Sequence, residues 1–328
     1  MNRTPKVRCV VLLLLLSVSF ARGSVSAAAP ARKETFSPAT PLMVSDPQER
    51  LRIEQALPQK AVVAPKQRRR LLVFDLNVGY GGHRSAQYAN YAFAQMGERT
   101  GAFEATISRD PAVFRPESLK QFDAVFFNNT VGNLFQDPAL RQSLRDFVYG
   151  GGGMLGLHGT TFAFTDWTAG AREDWPEFGV MLGARGGTHR QSDERVVIKL
   201  DDPGHPVCAP FGGKSFECRD EFFRVHEPYS RDTVRVLLSI DTEKTDVNQG
   251  KSFGDTVRAD NDYALAWVRG YGKGRVFYCT IGHNPWVFYD PLMLKFYLGA
   301  IQFALGDLPA STAPSRERTK ETGRKTTP

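Results

Sequence analysis

The chain has 328 residues, with 42 Lys and Arg against 35 Asp and Glu. Its net charge of +7 sits at the ends. Residues 1–27 carry +4, residues 31–70 carry +5 and residues 308–328 carry +3, which leaves residues 71–307 at −5. A nucleic-acid binder shows its basic face within the folded domain, so an acidic domain between basic flanks excludes that class of partner.

Arg3, Lys6 and Arg8 precede an apolar run over residues 10–16, and Val25-Ser26-Ala27 fits a small-residue cleavage site. Basic, then apolar, then small predicts a secretory signal peptide over residues 1–27 and a periplasmic or extracellular protein. The run is too short to span a bilayer, so no transmembrane segment is expected after cleavage. Six prolines in residues 28–69 predict a linker with one short helix near 46–57. The basic run at 66–70 reads as solvated or as touching a membrane surface. The Thr-, Pro-, Lys- and Arg-rich residues 308–328 read as a disordered tail. One domain over residues 70–307 remains. Export leaves Cys208, Cys218 and Cys279 in an oxidising compartment. Cys208 and Cys218 flank a Pro/Gly-rich loop and could bridge, whereas Cys279 lies in an apolar run and reads as a buried thiol.

Along that domain the first half alternates short apolar runs with helix-length segments. Residues 71–77, 103–108, 124–128 and 154–158 read as strands, and residues 83–99 have helical composition. Asp137-Pro138 starts a further helix, with Asp as N-cap and Pro in the first turn. Strands alternating with helices predict a parallel sheet with helices on both faces, a doubly wound α/β architecture. The second half adds strands at 195–200, 235–240, 264–268 and 276–281, the last two as a hairpin, and an apolar helix from residue 291. Residues 160–230 read as loop-rich decoration over the carboxyl edge of the sheet.

Four segments together resemble one family: GGGGMLGLHGTT at 150–161, LDDPGHPV at 200–207, RDEFFRVHEPY at 219–229 and GKGRVFYCTIGH at 272–283. They resemble the ThuA-like, or trehalose utilisation, family over about residues 70–307. The resemblance implies a flavodoxin-like parallel sheet similar to that of class I glutamine amidotransferases, with additional strands in the C-terminal half. It also implies a role in breaking down trehalose and other glycosides through keto-sugar intermediates. Those amidotransferases carry a nucleophilic Cys in G-x-C-x-G, where this chain has Gly156-Leu157-His158-Gly159. An imidazole does not replace a thiolate in forming a thioester, so glutaminase chemistry is excluded.

His158 ends a predicted strand, where open α/β sheets bind ligands. Together with Glu221 and His283 it forms the expected catalytic set, converging at the carboxyl edge of the sheet for general acid–base work. Asp220 is the less favoured carboxylate, because adjacent strand residues face opposite sides. His83, Asn128, Thr160, Asp166, Trp167, His189 and Trp286 are candidates for binding substrate. His205 reads as a turn residue and His226 as a core histidine. The sequence identifies no cofactor. His158, His189, Glu221 and His283 are nevertheless residue types a divalent metal accepts, although no local ligand motif is present. The expected partner is a small carbohydrate, and the oligomeric state stays open. A noncatalytic sugar-binding or scaffolding module of the cell envelope is the competing reading, since this architecture hosts unrelated functions.

Overall fold

Short apolar runs become strands here because neighbouring residues enter cores on opposite faces of one sheet. In β1 (Arg70–Phe74), Leu71 and Val73 pack on one face and Leu72 and Phe74 on the other. β2 (Glu104–Ser108), β3 (Ala124–Asn128) and β4 (Gly153–Leu157) join β1 in parallel, in the order β2-β1-β3-β4. Helices α1 (Pro47–Ala56) and α2 (Ala86–Thr100) cover the first face, and α3 (Pro116–Leu119) and α4 (Pro138–Gly150) the second. Asp137 caps α4 by accepting from the Ala139 N–H at 2.8 Å. The computed structural model describes Met1, residues 41–167 and residues 174–317.

After α5 (Pro176–Leu182) the chain is richer in strands: β5 (Arg185–Arg190), β6 (Glu194–Leu200), β7 (Phe216–Asp220), β8 (Phe223–His226), β9 (Arg235–Ile240), β10 (Ser252–Phe253), β11 (Ala264–Tyr271) and β12 (Gly274–Cys279). β12 lies parallel to β4 and closes the parallel part. β11, β9, β6 and β7 then continue the same nine-stranded sheet in antiparallel fashion, and β11 and β12 form the expected hairpin. β10, β5 and β8 make a separate three-stranded antiparallel sheet. The apolar α6 (Pro291–Ala304) packs on the α1/α2 face. No helix among the described residues is long and apolar enough to cross a membrane.

Several expectations require correction. Residues 160–230 are not mainly loop, since β5 to β8 begin there. Gly186, at φ +52°, and a register break between Arg185 and Thr188 interrupt β5, which hides its alternation. The described part of the 28–69 segment is no free linker. Val44, Ile53 and Leu57 are buried in the core, and the Gln302 side chain accepts from Val62 N–H at 2.7 Å and donates to the Val63 carbonyl at 2.7 Å. Within the basic run, Arg69 is not solvated, because it pairs with Asp307 at 2.7 Å and Asp123 at 3.0 Å.

The tail begins later than residue 308. Leu308 is buried, Ser315 N–H donates to the Val234 carbonyl at 3.0 Å, and Val236 N–H donates to Ser315 Oγ at 2.9 Å. Cys208 and Cys218 are both free thiols, unbridged, and Cys279 is a buried free thiol in β12. His226 is exposed rather than a core residue. Residues 2–27 of the expected signal peptide and the last eleven residues lie outside the described residues.

Candidate functional site

The parallel strands β1, β3, β4 and β12 all end at one edge, and their following loops meet there. His158 comes directly after β4 with φ +43°, a backbone conformation that L-residues rarely hold and that often marks a functional position. Its Nδ1 lies 2.7 Å from the Thr280 carbonyl oxygen. A carbonyl only accepts, so Nδ1 carries a proton and Nε2 faces inward. The ring stacks on Phe223, with centroids 4.3 Å apart, and Tyr278 Oη donates to the His158 carbonyl at 2.8 Å.

His283 follows β12, and its Nδ1 sits 3.2 Å from His158 Nε2. Glu221, between β7 and β8, places Oε1 3.4 Å from both of those nitrogens. Its Oε2 lies 3.1 Å from Nδ1 of His189 on β5. His83, in the loop between β1 and α2, packs edge-on against His158 and His283, with centroids 4.9 and 5.2 Å away. A side chain at Gly159 would place Cβ 2.9 Å from His83 Cε1, so this close approach needs glycine. Four of the chain's six histidines thus surround one carboxylate.

Burial sets the charges. It lowers His283 to about 4, with His158 adding to the effect, and holds His83 well below its ordinary value. Burial opposes ionisation of Glu221 as well, but hydrogen bonds to His158 and His189 outweigh it and hold the carboxyl well below the usual range. Burial alone would lower His189, but its bond to Glu221 and the charge of that carboxylate together raise it. At neutral pH, Glu221 is therefore ionised, while His83 and His283 are neutral.

Asp220 plays a different part from its neighbour. Fully buried, it accepts from Gly282 N–H at 2.6 Å, His283 N–H at 3.1 Å, Asn284 N–H at 3.0 Å and Asn284 Nδ2 at 2.7 Å. Burial pushes its carboxyl up to about 6 in spite of those donors. It fixes the segment that carries His283, and Glu221 faces the imidazoles. The sequence signal was the alternation at Asp220-Glu221, which indicated two faces but not the loop that Asp220 holds.

Other expected site residues lie elsewhere. Asn128 is buried and donates to the Ala86 carbonyl at 2.9 Å and Asn90 Oδ1 at 2.8 Å, so it ties β3 to α2. Thr160 Oγ1 lies 2.8 and 2.9 Å from the Phe127 and Leu157 carbonyl oxygens, which share its one proton, and is likewise a main-chain brace. Asp166 is exposed. Trp286 is 38% exposed, donates to the Arg219 carbonyl and lies under the Arg219 guanidinium at 4.8 Å. Trp167 does reach the rim, packing on Phe162 at 5.1 Å and on Tyr80 at 5.8 Å. Tyr80, which the sequence reading missed within its glycine-rich loop, packs on His83 at 5.2 Å. Burial and the Glu221 charge raise its hydroxyl above the ordinary phenol range.

The arrangement has an excess of lone pairs. With Nδ1 committed to Thr280, His158 Nε2 either donates to Glu221 or sets a lone pair beside it, and His83 Nδ1 is buried without a hydrogen-bond partner among the described residues. One nitrogen each from His83, His158 and His283 lies within 4.8 Å of the others. Such a centre needs a positive charge, either a proton or a cation.

A family model for trehalose utilisation, ThuA, matches residues 70–304. No curated protein matches the sequence. Among solved structures, a ThuA-like protein of Bacteroides uniformis is similar at 22% identity, covering 74% of this chain and 92% of that one, with TM-score 0.59. A ThuA-like protein of Parabacteroides merdae follows at 16% identity, 75% and 93% coverage and TM-score 0.53. A cytoplasmic protein of Salmonella typhimurium is similar at 14% identity, 71% and 98% coverage and TM-score 0.50. At these identities the structural likeness shows the fold alone, but the family model spans most of the sequence, and the chain belongs to the ThuA family.

Proposed function

We propose that this protein is an exported enzyme that cleaves or rearranges a glycoside carrying a ketone, by general acid–base chemistry at the histidine–glutamate centre. The observation that carries this reading is Glu221 Oε1 at 3.4 Å from both His158 Nε2 and His283 Nδ1. A ketone acidifies the carbon beside it, and the ionised Glu221, beside the neutral imidazoles of His83 and His283, is the group placed to accept that proton. The pair of electrons left behind forms a double bond to the anomeric carbon as the bond to the leaving oxygen breaks. That oxygen takes a proton. Addition of water across the new double bond completes hydrolysis, and the elimination alone gives a lyase.

The same residues fit a divalent cation. His158 gives its Nδ1 proton to a backbone carbonyl and keeps Nε2 for a ligand, an arrangement common among metal-bound histidines. The unpartnered Nδ1 of His83 and the neutral state of His283 suit ligation as well. His83, His158 and His283 would hold the ion, with Glu221 beside them. A bound cation would supply polarisation of the sugar ketone.

The decisive experiment incubates mature protein with trehalose, sucrose and cellobiose and with their 3-keto forms, with and without chelator, beside a His158→Ala variant. Turnover of a keto form that the variant lacks is the expected result, and chelator sensitivity reports on the metal. Saturable binding with no turnover of any sugar would replace this reading with the noncatalytic module. Export rests on the basic, apolar and small order of residues 1–27. Recovery of the full-length chain from the cytosolic fraction, with residues 1–27 uncleaved, would refute it.

A further inference from the structure

We propose that Tyr80 is the proton donor to the leaving oxygen, a role that rests on the acid–base reading above. Glu221 and the neutral His83 and His283 are placed to take a proton, and a cleavage of this kind also needs a group that gives one. Tyr80 lies between the polar centre and the aromatic rim, with its ring 5.2 Å from the His83 ring and 5.8 Å from the Trp167 ring. It is half-buried, and its hydroxyl has no hydrogen-bond partner among the described residues, unlike the buried hydroxyls of Tyr278 and Tyr297. An uncommitted phenol beside the histidine centre is free to bond a substrate oxygen.

The loop that carries it supports the placement. Gly79 and Gly82 hold φ +70° and +80°, so the chain turns sharply on both sides of Tyr80. Val78 N–H is tied to the Val131 carbonyl at 2.9 Å, which anchors the loop to the segment after β3. A side chain at Gly132 would strike the Val78 carbonyl at 2.0 Å, so the two loops are in direct contact. The ring of Tyr80 is therefore held on a braced turn, against the ring of His83.

The balance of the step is simple. The proton leaves the carbon beside the ketone for Glu221, the bond from the anomeric carbon to the leaving oxygen breaks, and the Tyr80 hydroxyl proton passes to that oxygen. The released alcohol departs, Glu221 gives its proton to solvent and the phenolate takes one back, so both groups return to their starting states. No oxidant or reductant is consumed.

Tyr80→Phe keeps the ring and removes the proton, so it separates donation from packing. The test compares keto-glycosides whose leaving groups are a nitrophenol and a sugar or alkyl alcohol, in the wild type and the variant. A nitrophenolate leaves without protonation, whereas an alkoxide does not. The expected result is a loss of 100-fold or more in kcat for the alkyl or sugar leaving group. The nitrophenyl substrate should lose less than about threefold, with KM little changed for both. An equal loss for both leaving groups, or none for either, overturns the proposal while leaving the acid–base reading intact. Absence of turnover by the wild type overturns that reading, and the role of Tyr80 with it.

Discussion

The parallel and antiparallel parts of the molecule furnish the site in different ways. His83, His158 and His283 lie in loops that follow β1, β4 and β12, and parallel strands bring such loops to one edge by their direction alone. Glu221 comes from the short connection between β7 and β8, and His189 from the side of β5. No common strand direction brings those two together. Their orientation depends on packing, and Phe223 against His158 and the buried Arg224–Glu194 pair beside it provide that. Topology places the imidazoles, and packing places the carboxylate.

The largest effects should show that neither part suffices alone. His158→Ala and Glu221→Gln are each expected to lower turnover of the keto-glycoside by about 10²–10⁴-fold. The double variant should be little worse than either, because groups acting in one step are not additive. Steady-state rates on the three variants test this. A Glu221→Gln enzyme within tenfold of wild type would mean that the antiparallel part contributes scaffold only.

A second test addresses how the carboxylate is held. Arg224 and Glu194 form a two-pronged pair at 2.6 and 2.7 Å, with side chains 2% and 6% exposed. Glu194→Ala strands a buried guanidinium, and the expected loss is about 3–5 kcal/mol in denaturant unfolding. Replacing both partners by apolar residues should recover most of that loss. A Glu194→Ala protein of wild-type stability would remove this pair as the support for β8.

The same contrast explains what the sequence could show. Ala124–Asn128, the Asp137 cap and His158 at the end of β4 were legible because buried parallel strands are continuous apolar runs with glycine or helix caps at their ends. β5 and β8 were not, since one carries a glycine-marked register break and the other has four residues. The convergence of His158, Glu221 and His283 was expected from strand ends. Asn128 and Thr160 also sit at strand ends, yet their side chains turn back to brace the main chain. Residue type and position are the same for a polar group that faces a ligand and one that satisfies a carbonyl. Only the neighbouring loop decides, and that is a tertiary fact.

The two parts should also respond to pH with opposite sign. His83 and His283 have depressed values, so their contribution to stability is present above about 6.5 and is lost as pH falls toward about 4. For His283 that amounts to at most about 3 kcal/mol. His189 is raised, so its contribution is full below about 6.5 and is lost as pH rises through its folded value. Melting curves of the chelated protein should show His283→Asn flattening the acid side of the Tm profile. His189→Asn should lose most Tm near pH 6 and progressively less above. Parallel profiles for the two variants would contradict the opposed charge states.

The smallest expected effect concerns the outer edge. Trp286 is 38% exposed and engaged with Arg219, and a cation–π contact of that kind is worth about 0.5–1 kcal/mol. With the indole hydrogen bond to the Arg219 carbonyl lost as well, Trp286→Ala should cost about 1–2.5 kcal/mol in stability and leave kcat/KM unchanged. Trp167→Ala should raise KM, because Trp167 packs on Tyr80, which in turn packs on His83. Both variants measured on one keto-glycoside locate the substrate. A rise in KM for Trp286→Ala, with none for Trp167→Ala, would move the sugar from the loops of the parallel strands to the β7 edge. The carboxylate would then face substrate from the side that packing, and not topology, controls.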